Sequence, residues 1–122
     1  MKFAYDWDEA SRLVPLLEAI FNEVHDRRLR IATIEGDLAR MKHEGVPESA
    51  LADVVARLAV QRRELRLSLR EFERLGCVVD EAVPSRVVIP GPRGRGFSYA
   101  HGDREIQLEL GAHSDALQSG VH

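Results

Sequence analysis

From Leu13 onward, apolar side chains recur at alternating steps of four and three: Leu13, Leu17, Ile20, Val24, then Ile31, Ile34, Leu38 and Met41, with Arg27 in the same stripe. A helix brings those positions to one side, and a stripe this long and narrow is a seam against a partner helix. A second run follows the same rule: Leu51, Val55, Leu58, Arg62, Leu65, Leu69 and Phe72. Gly45, Val46 and Pro47 interrupt the pattern between them. Pro47 suits a first helical position, where its missing N–H is no loss. So short a connection makes the two helices antiparallel neighbours, with residues whose numbers add to about 92 or 93 facing each other. Leu38 then meets Val55, Ile34 meets Leu58, Val24 meets Leu69 and Ile20 meets Phe72.

Each arm has one flaw in its seam, Arg27 and Arg62. A dry charge there is costly, so each guanidinium needs water or a carboxylate, and Glu23 and Glu35 are the partners within reach. Val14, Phe21, Val54, Val60 and Leu67 are apolar but off the seam. A lone hairpin leaves them wet, whereas two hairpins packed as a four-helix bundle would cover them, so a homodimer is expected.

The ends of the hairpin carry stop and start signals. Asp6 with Glu9 three residues on forms a capping box, and Pro15 inside the first helix predicts a bend. Gly76 stands where a left-handed residue ends the second helix. Beyond it the composition changes. Cys77, Val78 and Val79 are small or β-branched, and Val87-Val88-Ile89 reads as a short strand bounded by Pro84 and Pro90. Gly91 to Gly96 reads as a flexible basic loop. Phe97 and Tyr99, then Ile106, Leu108 and Leu110, alternate with polar residues around a turn at His101 to Arg104, the pattern of a β-hairpin with Ile106, Leu108 and Leu110 on its buried face. The expected architecture is mostly α. A long antiparallel two-helix coiled-coil hairpin spans 6–76, a small C-terminal antiparallel β appendage spans 77–111, and a flexible polar tail covers 112–122, all in a single domain.

Composition narrows the function classes. A net charge of −3 gives no overall basic field to draw in nucleic acid. One cysteine, Cys77, excludes an internal disulfide framework, and no apolar run is long enough to span a bilayer. The N-terminus lacks the apolar segment of a signal peptide, so a soluble cytoplasmic protein without membrane contact is expected.

The opening Tyr5-x-x-x-Glu9-Ala10-x-x-Leu13-x-Pro15-Leu16-Leu17 resembles the start of a bacterial family known as domain of unknown function number 2203. Leu75-Gly76-Cys77-Val78-Val79-Asp80 resembles that family's Leu-Gly-hydrophobic step, and Arg86-Val87-Val88-Ile89-Pro90 its strand ending in proline. The resemblance implies a charged helical hairpin, a short β tail and a bacterial cytoplasmic setting, and no activity. The family's tail carries a Cys-Trp on one strand and a Trp-His on the next. Here Tyr99-Ala100-His101 and Leu108-Glu109-Leu110 occupy those regions.

No reaction is written in the motifs, and neither an enzyme nor a cofactor is expected. Metal-ligand spacing such as His-x-x-x-His is missing, which leaves only a conceivable grouping of His101, Asp103, His113 and Asp115 around a turn and tail. Cys77 beside a helix C-terminus has its thiol pKa raised, which suits a core residue better than a nucleophile. Gly91 to Gly96 lacks the Gly-Lys-Ser/Thr of a phosphate loop. The one unusual constellation is an arginine belt, Arg27, Arg28 and Arg30 on one arm with Arg62, Arg63 and Arg66 on the other. Glu23, Asp26, Glu35 and Glu64 in the same turns read it first as salt bridges on a structural or interaction module that binds itself or a protein partner. The second reading is a nucleic-acid or anion-binding coiled-coil arm that uses those six arginines.

Overall fold

The computed structural model describes residues 4–80, 82 and 85–109. The protein is mostly α, with two long packed helices and a small antiparallel sheet. The elements run α1 (Trp7–Arg12), α2 (Val14–His43), α3 (Glu48–Arg74), β1 (Val78–Val79), β2 (Arg86–Pro90), a 3-10 turn (Pro92–Gly94), β3 (Gly96–Ala100) and β4 (Gln107–Glu109). Two compact units result, Met1–Phe21 with Glu71–His122, and Asn22–Arg70.

The first unit is organised by aromatic side chains. Asp6 caps α1 by accepting from the Glu9 N–H at 2.7 Å, while the Glu9 carboxylate accepts from the Asp6 N–H at 3.0 Å. Pro15 has its expected effect: the helix breaks at Leu13, between α1 and α2. Tyr5 donates its N–H to the Pro90 carbonyl at 2.8 Å and its hydroxyl to the Leu75 carbonyl at 2.7 Å, tying the N-terminal segment to β2 and to the end of α3. Phe21 packs on Phe72 with ring centroids 4.7 Å apart and on Tyr99 at 6.1 Å. Around them Ala10, Leu17, Ile20, Cys77, Val87, Ile89, Phe97 and Ile106 are buried. Phe21 opposite Phe72 has residue numbers that add to 93, in keeping with the expected register.

Gly76 ends α3 as expected. It stands at φ 78, its N–H donates to the Glu73 carbonyl, and the Cys77 N–H reaches back to Phe72 at 2.9 Å. Those two bonds make a Schellman motif, which only a left-handed residue closes cheaply. The four strands form a meander in the order β1-β2-β3-β4, every pair antiparallel. Two expectations fail here. Leu108 is 59% exposed while Ile106 is buried, so β4 does not present one apolar face; Leu110 lies outside the described residues. The glycine-rich loop is a tight turn, with the Gly91 N–H on the Arg95 carbonyl at 2.7 Å and Arg93 and Gly94 both at positive φ. A Cβ on Gly91 would sit 2.7 Å from the Arg95 carbonyl oxygen, and one on Gly96 2.6 Å from that of Ile89. Close backbone approach, and not flexibility, is what these glycines serve.

The second unit is a helical hairpin. α2 ends in the same motif as α3, with Gly45 at φ 73 and the Val46 N–H bonded to Met41 at 3.0 Å. The first arm's stripe is as expected: Val24 is buried, and Arg27, Ile31, Ile34, Leu38 and Met41 are half-buried. The second arm is rotated from its expected phase. Val54 is 4% exposed and Val55 48%, Arg62 is exposed, and the seam runs Leu51, Val54, Leu58, Gln61, Leu65, Ser68, Phe72, of which Val54, Leu58, Ser68 and Phe72 are buried and the others half-buried. Gln61 and Ser68 are polar, so an apolar stripe drawn through their neighbours Arg62 and Leu69 turns the wrong face inward.

Candidate interaction surface

The six belt arginines divide by environment. Arg27 remains in the seam, donating to the Gln61 side-chain oxygen at 3.2 Å and lying 3.8 Å from Glu23, while its Nε is buried with no hydrogen-bond acceptor among the described residues. Arg62 points out and pairs with Glu35 at 2.7 Å. The carboxylate partners expected for both arginines are therefore present, although only Arg27 interrupts the seam. Arg28, Arg30, Arg63 and Arg66 are exposed. Arg63 and Arg66 share one face of α3 with Arg70, a residue outside the expected belt, and the three surround Leu67 in a hollow of about 280 Å³. Spacings of three and four on one helix were the signal for Arg70.

A larger feature lies across both arms of the same unit. Leu29, Arg30, Thr33 and Ile34 of α2 and Ala56, Arg57, Val60 and Gln61 of α3 line a groove of about 530 Å³. Its apolar floor is wet, with Leu29 55% and Val60 53% exposed. Arg30 and Arg57 are the charged residues that line it. Asp26 precedes Arg30 by one helical turn, and Asp53 precedes Arg57 likewise. Val60 was expected off the seam, and the groove explains its apolar character. Leu29 had no such expectation, because one exposed leucine on a helix has no local signature.

The first unit holds a polar cluster of its own. Glu18 accepts from the Tyr99 hydroxyl at 2.5 Å and from the Gly102 N–H at 3.0 Å, and lies 3.3 Å from His101 Nε2. The His101 ring stacks on Phe21 at 5.5 Å. The Tyr99 hydrogen bond, with smaller help from Gly102 and the His101 charge, holds the Glu18 carboxyl below its usual pKa. Burial, reinforced by Glu18, pushes the Tyr99 hydroxyl up. This cluster pins the β3–β4 turn to α2. Asp103 supports the same turn by accepting the Ala100 N–H at 3.2 Å. His113 and Asp115 lie outside the described residues, and among those described no group of three potential metal ligands forms. Glu18 escaped the sequence analysis because its partners are more than eighty residues away. A hint was its place as a lone charge within Leu16-Leu17-Glu18-Ala19-Ile20-Phe21. Burial pushes the Cys77 thiol up to about 12, in line with a core residue.

The class these features define is a two-helix hairpin with a small β meander, carrying surface grooves and charge clusters. The chain belongs to the DUF2203 family, described as an uncharacterized conserved protein, whose profile matches residues 4–92. That match ends before β3, so Tyr99 and His101 lie beyond it. No curated protein and no solved structure matches the chain. No described helix is long and apolar enough to cross a membrane.

Proposed function

We propose that the protein is a structural and interaction module of the bacterial cytoplasm whose hairpin self-associates through the Leu29–Val60 groove. The groove itself carries the reading. In the unit Asn22–Arg70 the buried side chains are Val24, Val54, Leu58 and Ser68, a sparse core for a segment of this length. The missing burial lies on one face, spread over both arms, and the charged residues lining it are Arg30 and Arg57. A second copy of the same hairpin supplies a like apolar face and completes a four-helix bundle. The single buried thiol of Cys77 suits a reducing compartment.

Sedimentation velocity across a range of micromolar concentrations tests the proposal. The wild type is expected to sediment as a dimer. Leu29→Glu with Val60→Glu is expected to sediment as a monomer of unchanged helicity, because both side chains are already half in water. A wild type that stays monomeric throughout contradicts the proposal.

A further inference from the structure

We infer that Arg63, Arg66 and Arg70, with Leu67 among them, form a strip on α3 that binds the phosphates of single-stranded nucleic acid. The three guanidiniums follow one another at steps of three and four, so they rise along one helix face over about 10 Å. All are exposed, and among the described residues none has a carboxylate within ion-pair distance. By contrast Arg27, Arg40, Arg62, Arg74 and Arg86 each do. The positions one turn away on this face are Ala59, Val60, Arg62, Leu69, Glu73 and Arg74, and of these only Glu73 is acidic. Like charges one turn apart repel. The strip therefore concentrates positive potential on a chain whose net charge is −3, and an anion relieves it.

The shape selects among anions. The hollow sits on the outer side of α3, about half a turn from the seam stripe of Val54, Leu58, Gln61 and Leu65. Three donors spread over about 10 Å of helix outrun a single phosphate. Linked phosphates match that spread. Leu67 is 41% exposed at the centre and offers an apolar seat that an unstacked base can cover. A duplex keeps its bases stacked inside, so a single strand is the ligand that uses both the arginines and the leucine. Binding is independent of sequence, because nothing in the strip reads base edges.

Fluorescence anisotropy with a labelled oligothymidylate and the full chain tests this. Binding is expected at about 50 mM salt, with log K falling against log salt at a slope of about −2, the value for three phosphate contacts on a single strand. Arg63→Gln, Arg66→Gln and Arg70→Gln together should weaken it at least tenfold and flatten the slope. Arg12→Gln, Arg93→Gln and Arg95→Gln remove the same charge from the other unit and should leave binding within about twofold. Leu67→Ser should weaken the oligonucleotide while leaving the salt slope unchanged. The inference is overturned by no binding, by equal loss in both triple variants, by duplex binding as tight as single strand, by tripolyphosphate competing at equal phosphate concentration, or by binding to phosphatidylserine vesicles without binding to the oligonucleotide.

Discussion

The same two helices run through both units of this protein, yet they bury their side chains to different depths. Where α2 and α3 meet the sheet, Leu17, Phe72, Val87 and Ile89 are wholly shielded from water. In Asn22–Arg70 the seam is drawn only from the two helices, and most of its positions remain half-buried. An amphipathic helix presents one stripe to its neighbour and needs a third layer to shield the flanks. The β meander is that layer for the first unit. Among the described residues the second unit has none, and the Leu29–Val60 groove marks the place it would occupy.

The sharpest way to test that contrast is to cut into each core. Phe72→Ala should destabilise the protein by about 3–5 kcal/mol, since an enclosed aromatic leaves a cavity its neighbours cannot fill. Leu58→Ala should cost nearer about 2 kcal/mol, because its half-exposed surroundings can collapse or admit water. Urea denaturation compares the two, and equal losses would erase the distinction. Glycine replacements separate the units again. Gly96→Ala drives a Cβ against the Ile89 carbonyl and should cost at least about 2 kcal/mol. Gly45→Ala meets open space and should cost only the left-handed backbone, about 1 kcal/mol. Arg27→Leu should raise stability by about 1 kcal/mol, since it removes a buried Nε that has no acceptor. Arg62→Leu, on an exposed pair, should change little in the same melts.

The smallest effect belongs to pH. Glu18 has a lower pKa folded than unfolded, so its contribution is full above the usual value of 4.5 and is lost as pH falls through the folded value. Acid titration of stability should therefore show a limb below pH 4.5 that Glu18→Gln flattens. An unchanged limb would mean that the Tyr99 and Gly102 contacts do not stabilise the charged carboxylate.

The hairpin was legible in the sequence because its signals are local and repeated: the stripe from Leu13 to Met41, the cap at Asp6, the stops at Gly45 and Gly76. The second arm's phase was not. Gln61 and Ser68 hold seam positions, and polar residues there are invisible to a reading that follows apolar side chains. The arginine belt illustrates the same limit. Sequence grouped Arg27 and Arg62 with Arg63 and Arg66, but a single helical step separates a paired guanidinium from an unpaired one. The link between Glu18 and Tyr99 depends on how distant segments come together, and no local pattern carries it. Gly91 and Gly96 looked like flexibility because glycine permits both mobility and close approach, and only the Arg95 and Ile89 carbonyls decide between them.

Hydrogen exchange measured at two protein concentrations tests the central claim most directly. If a second copy completes the hairpin, amides of Asn22–Arg70 gain protection as concentration rises, while those of β2 and β3 keep theirs unchanged. Protection in the hairpin that is the same at both concentrations would contradict the account.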